Sequence, residues 1–84
     1  MERGDIFDEI DVERHRQSER WNLHHDWGRG DCSSDEVAAI VKAAVLAEEC
    51  GEVARAVLDL SDEDVLRTEL IQTAAVAVAW LESL

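Results

Sequence analysis

Proline and tyrosine are absent from this sequence, phenylalanine occurs once and glycine four times. Without proline, and with so little glycine, the chain lacks the residues that most often interrupt helices. Alanine, valine, leucine and glutamate dominate instead, and an all-α domain is expected. Cysteine is scarce too: Cys32 and Cys50 are too few for a disulfide framework, and their spacing matches no zinc ribbon or finger. Eight basic residues stand against twenty acidic ones, for a net charge of −12. No basic stripe offsets that charge, which excludes a nucleic-acid backbone as a direct partner. Long hydrophobic runs are missing as well. The longest, "LIQTAAVAVAWL", is too short to span a bilayer and contains Gln72 and Thr73. The N-terminal "MERGDIFDEIDVERHRQ" is charged throughout, unlike a signal peptide, so a cytoplasmic protein without a membrane partner is expected.

What is present fits a single domain over residues 1–84. Hydrophobic residues make up 46% of it, too many for a disordered chain. A chain this short has a thin core when alone, and oligomerisation is a common remedy.

Three helices are predicted. The first runs from Asp5 to Trp21, with Asp5 as its cap and Ile6, Phe7, Ile10, Gln17 and Trp21 near helical spacing; Arg14 interrupts the stripe. An irregular segment, "NLHHDWGRGDCSS", follows. The second helix is expected to begin at "SSDE", where Ser33 and Glu36 have capping-box spacing, and to run to Leu58 or Asp59. Ser61 or Asp62 caps a third helix that continues to Leu84. The short connection makes the second and third helices an antiparallel hairpin.

The middle of the second helix reads "AEECGEVA". Glu48 and Glu52 are four apart, and Glu49 and Glu52 three apart, so the three carboxylates share one broad face. Val37, Val41, Ala44 and Val45 fall on the same side as Glu48 and Glu52. Leu46, Cys50, Val53, Val57 and Leu58 make the other side apolar, so Cys50 is expected to pack. On the third helix Glu69 and Gln72 project together, and an antiparallel hairpin can set Glu69 opposite the acidic patch. Like charges about 4 Å apart repel by roughly 4 kcal/mol at an effective dielectric near 20. Converging carboxylates in a partly dry groove therefore take up protons or bind a cation. An all-oxygen donor set suits a hard ion, Mg²⁺ or Mn²⁺. A solvated acidic face is the ordinary alternative.

"EECGE" followed by "ELIQ" resembles the MazG-like nucleotide pyrophosphohydrolases of the all-α nucleoside triphosphate pyrophosphohydrolase superfamily. The family motif is Glu-Glu-x-x-Glu, a spacer, then Glu-x-x-Asp. Here it reads Glu48-Glu49-x-x-Glu52, sixteen intervening residues, and Glu69-x-x-Gln72. The flanks "AEECGEVARAVL", "RTELIQTAAVAVAWLE" and "ERHRQSERW" are also similar to it, so the resemblance covers residue 12 to the end. It implies an oligomeric four-helix-type bundle, a homodimer or homotetramer, that hydrolyses a nucleoside triphosphate to the monophosphate and pyrophosphate with Mg²⁺. Carried over, Glu48, Glu49, Glu52, Glu69 and Gln72 are metal-site candidates, with Glu49 and Glu52 the catalytic candidates. Such a metal lets acidic residues receive a polyphosphate. Gln72 departs from the motif's Asp and removes one negative charge.

Four further residues are substrate-binding candidates. Gln17 and His24 could contact a base or sugar. Trp21 could stack or serve as a core anchor, and Arg67 could reach a phosphate or form a surface ion pair. Gly51, in mid-helix, permits close helix approach or substrate access. Trp80, Leu84 and Val76 are expected in the core or a dimer interface. A second class of function also fits these features: an acidic helical oligomer with little or no catalysis that acts as a protein-interaction module.

Overall fold

A computed structural model describes all 84 residues. Three helices form: α1 (Arg3–Trp21), α2 (Ala39–Leu58) and α3 (Glu63–Glu82). Between α1 and α2 lies a small antiparallel ribbon, β1 (His24–His25) and β2 (Gly28–Arg29), with His24 paired to Arg29 and His25 to Gly28. The all-α expectation holds, with the hairpin of α2 and α3 and an N-terminal helix.

Helix α3 is the central element, because α1 and α2 both pack on it and not on each other. Its sequence explains why. Ala75, Val76 and Ala79 are its buried residues, and small side chains allow two helices to approach one helix from different sides. The core is thin, as chain length demands: six apolar residues are buried, and no large side chain is fully enclosed. Glu13, Arg14 and Lys42 are buried beside them. Lys42 donates through Nζ to Ser83 Oγ at 2.7 Å, and Ser83 Oγ in turn donates to the Trp80 carbonyl. That places an ammonium at the negative end of α3.

The helix ends depart from expectation in instructive ways. Asp62 does cap α3, accepting the Val65 N–H at 3.0 Å. Asp5, expected as a cap, lies inside the first turn of α1, where its charge still suits the helix end. Helix α2 does not begin at Ser33. The Ser33 N–H and hydroxyl both donate to Asp31 Oδ1, and Ser34 Oγ accepts from the Glu36 N–H while donating to the Arg29 carbonyl. These local bonds hold residues 31–36 as turns, and α2 starts later at Ala39 without a side-chain cap. Helix α3 stops at Glu82, and Leu84 is exposed.

The α2–α3 turn is a Schellman closure. The Ser61 N–H donates to the Ala56 carbonyl at 3.0 Å and the Leu60 N–H to the Val57 carbonyl at 3.1 Å. The closure holds Leu60 at φ 54, a left-handed conformation that suits glycine, and the Leu60 side chain is 90% exposed. Leu60→Gly is therefore expected to stabilise the fold by about 0.5–1 kcal/mol, raising Tm by several degrees in thermal unfolding. An unchanged or lower Tm would show that the Leu60 side chain contributes packing that outweighs the backbone strain.

Candidate functional site

A groove of about 420 Å³ runs between α1 and α2, with α3 as its floor. Helix α2 supplies Val41, Val45, Glu48, Glu49 and Glu52 to one wall, and Val37 precedes them. The predicted sharing of a face by valines and glutamates is thus realised, although Ala44 is exposed outside it. Helix α1 supplies Glu13, Arg16, Gln17, Arg20 and Trp21, and α3 supplies Gln72 and Val76. The ribbon closes one end with His25 and Trp27.

The antiparallel hairpin brings Glu69 of α3 to Glu49 and Glu52 of α2. One carboxylate oxygen from each lies within 4.8 Å of the others. Glu49 and Glu69 are half-buried and Glu52 is exposed. Glu49 Oε2 and Glu69 Oε2 are enclosed and accept no hydrogen bond from the protein. Burial pushes the Glu49 carboxyl above the usual range, and the negative charges of Glu52, Glu69, Glu48 and Glu13 push it further. Glu69 is raised by burial too, then by a hydrogen bond with Glu52 and the charge of that residue. Three carboxylate oxygens at this spacing could hold a hard divalent cation. Glu48 lines the groove but stands outside this trio.

Gln17 and Gln72 meet at the floor. Gln17 Nε2 donates to the Gln72 backbone carbonyl at 3.2 Å, which fixes the Gln17 amide at the groove. Trp21 is 41% exposed and lines the groove, so it is not the core anchor that its spacing also allowed. Its indole lies 5.6 Å from the His25 ring, and Arg20 sits over it at 5.3 Å. His25 in turn stacks on Trp27 at 4.8 Å with an interplanar angle of 5°.

Two substrate candidates fall elsewhere. His24 is exposed and points away from the groove, because adjacent strand residues project to opposite faces; His25 takes the groove side. Arg67 pairs with Asp64 at 3.6 Å on the surface. Cys50 is exposed rather than packed, and Cys32 is the buried thiol. Gly51 faces open space, so it serves no close approach within the chain.

One groove residue, Glu13, went unnoticed in the sequence. Glu13 is buried and forms a two-point ion pair with Arg16, both contacts at 2.7 Å. Arg16 and Arg20, four apart on α1, are the groove's only arginines. Their i, i+4 spacing sets both on one face of α1, beside Gln17. No protein-family model, curated protein or solved structure matches the chain.

Proposed function

We propose that this protein is a Mg²⁺-dependent nucleoside triphosphate pyrophosphohydrolase, acting as a homodimer or homotetramer in the cytoplasm to clear unwanted nucleotides. The observation that carries the proposal is the Glu49–Glu52–Glu69 trio, with two enclosed oxygens lacking partners, beside a groove that also presents an amide, arginines and aromatic rings. The resemblance of "EECGE…ELIQ" to the MazG-like family supplies the reaction type. Both cysteines are free, in keeping with a reducing compartment.

Glu49, Glu52 and Glu69 would hold Mg²⁺, or Mn²⁺, with Glu48 and Gln72 at the margin. The bound ion would neutralise phosphate charge and lower the pKa of a water. Around it the chain's own residues position the substrate. Arg16 and Arg20 offer the positive charge that a polyphosphate needs in a groove otherwise lined by Glu13, Asp31, Glu48, Glu49 and Glu52. The Gln17 amide, held on the Gln72 carbonyl, presents its oxygen to a base or sugar. Glu49, whose proton affinity is raised, is suited to accept a proton from the attacking water.

The test is pyrophosphate release from a panel of canonical and modified nucleoside triphosphates. Release with an equal amount of monophosphate, dependent on Mg²⁺ or Mn²⁺, is expected for at least one substrate. Folded protein that releases none across the panel would overturn the proposal. A second reading, an interaction module with weak or no catalysis, is favoured by Gln72 in the motif's Asp position and by exposed Ile40, Leu58 and Leu60. A null panel together with capture of one defined partner would support it.

A further inference from the structure

Glu13 is a carboxylate that the fold encloses without gaining a tertiary contact from it. It is 9% exposed, yet both of its oxygens go to Arg16, three residues along the same helix. The pair therefore ties α1 to no other element. The neighbouring Arg14 shows the contrast, since that enclosed side chain joins α1 to Asp31 and to Glu82 of α3. An i, i+3 ion pair adds little to a helix, whereas taking a carboxylate out of water is unfavourable. Stability does not account for Glu13, and its place in the groove wall points to a different reason.

The geometry of the pair leaves one edge of Arg16 free. Arg16 Nε donates to Glu13 Oε1 and Nη2 to Glu13 Oε2, both at 2.7 Å. A guanidinium carries five N–H donors in a fixed plane, so both hydrogens on Nη1 and one on Nη2 remain without an acceptor in the chain. That free Nη1–Nη2 edge is a fork of parallel N–H bonds, the shape that grips two oxygens of one phosphate. Arg16 lines the groove with its side chain half exposed. Arg20, the other groove arginine, rests over the Trp21 ring instead. The hydrogen bond and charge of Glu13 hold the Arg16 guanidinium above its ordinary value against burial, and the charge of Glu49 adds to them. Arg16 and the carboxylate trio thus lie within one field.

We propose that Glu13 is a positioning residue that braces Arg16 as the phosphate clamp of the groove, across from Glu49. The ligand it serves is a polyphosphate that carries a divalent cation, with the cation at the trio and phosphate oxygens on the Arg16 fork. An arginine held in its binding geometry beforehand loses less freedom when the ligand arrives. Charge alone gives Glu13 the opposite effect, because a carboxylate in the wall of an anion site repels the anion. The two effects differ in sign, and the sign can be measured. The inference rests on the hydrolase reading above for the class of ligand, and it concerns how that ligand is held.

The test measures binding of inorganic tripolyphosphate with Mg²⁺ to the full chain by isothermal titration calorimetry. Glu13→Gln removes a negative charge from the groove, so charge alone predicts tighter binding. The expected result is the reverse, binding about tenfold weaker, because an amide cannot accept from both Arg16 nitrogens. In an Arg16→Ala background the same substitution should leave affinity unchanged or tighten it, since nothing remains to be braced. Arg16→Lys keeps the charge and loses the fork, and should bind as weakly as Arg16→Ala. That arm stands even where Glu13→Gln fails to fold, because the Arg16 side chain is half exposed. Glu13→Gln that binds as well as wild type, or better, would overturn the inference. So would an equal loss with and without Arg16, which marks a structural role, full affinity in Arg16→Lys, or a wild type that binds no tripolyphosphate. Pyrophosphate release judges the hydrolase separately. Release from a protein whose tripolyphosphate binding is indifferent to Glu13 overturns the inference alone. Glu13-dependent binding without release overturns the hydrolase and leaves the clamp standing.

Discussion

Arg14→Ala is expected to destabilise the folded chain by about 3–5 kcal/mol, the cost of breaking a buried ion pair by removing one partner. Arg14 is 7% exposed, and its guanidinium joins three parts of the fold. Nη1 donates to Asp31 Oδ2 at 2.9 Å, while Nε and Nη2 donate to the two oxygens of Glu82 at 3.0 and 3.2 Å. Helix α1 is thereby tied both to the segment before α2 and to the end of α3. Asp31 is the partner that suffers, since its side chain is 9% exposed, against 47% for Glu82. Burial alone would raise the Asp31 carboxyl. Hydrogen bonds from Ser33, then those and the charge of Arg14, outweigh it and hold the carboxyl below its ordinary value. The sign of the pH effect follows. A lowered carboxyl contributes stability that is present above its unfolded pKa and is lost as pH falls through the folded value. The Arg14→Ala defect should therefore be large at neutral pH and shrink in acid. A domain of this length has a total stability of roughly 4–13 kcal/mol, so the loss should be plain in urea titrations. Arg14→Lys should recover only part of it, because an ammonium cannot span both carboxylates as the guanidinium fork does. A change below about 1 kcal/mol in Arg14→Ala would mean that the pair is no more than a surface contact.

This residue also shows where reading the sequence stops. Arg14 interrupts an apolar stripe, and periodicity can register only the interruption. Its partners lie 17 and 68 positions away, and nothing local indicates them. The helices themselves were legible because their signals are local: apolar spacing, Asp62 three residues before the N–H that it caps, and a short α2–α3 connection that forces the hairpin. The hairpin then brought Glu69 to Glu49 and Glu52, as spacing had suggested. Failures came where two local interactions compete. Ser33 and Glu36 have the spacing of a capping box, but Asp31 stands two residues before Ser33 and takes its N–H and hydroxyl instead. They came also where burial depends on a neighbour's position. Cys50 and Cys32 are alike as residues, but the segment before α2 packs Cys32 with Val76 and Ala79 of α3, beside Val45 and Leu46, and leaves Cys50 of α2 open. His25 faces the groove while His24 does not because a two-residue ribbon forms, held by Gly28 at φ 124, where a side chain would overlap the Glu36 carbonyl.

The second large effect concerns the carboxylate trio. Glu52→Gln is expected to lower kcat/KM for pyrophosphate release by about a hundredfold or more, equivalent to about 2.7 kcal/mol of transition-state stabilisation. The wild type is expected to be thermally stabilised by Mg²⁺, and the substitution should abolish that gain. The substitution keeps the side-chain shape and removes one charge from a set whose oxygens lie within 4.8 Å. Glu49→Gln separates the metal's contribution from that of the protein. Burial and four neighbouring carboxylates raise the Glu49 carboxyl, so the folded chain holds a proton there that the unfolded chain releases. That contribution to stability is complete below the unfolded pKa, about 4.3 for glutamate, and disappears as pH rises through the folded value. Without metal, wild-type protein above that folded value therefore carries the repulsion of the trio unrelieved, and there Glu49→Gln should be the more stable of the two. With Mg²⁺ the order should reverse, because the cation stabilises the charged set and the amide weakens its site. The Mg²⁺-dependent rise in Tm should then be largest near neutral pH and fade in acid, as protons replace the cation. Equal Mg²⁺ shifts in wild type and both variants would place any metal elsewhere. The trio would then be a strained acidic face, and the enclosed Glu49 and Glu69 oxygens would need another explanation.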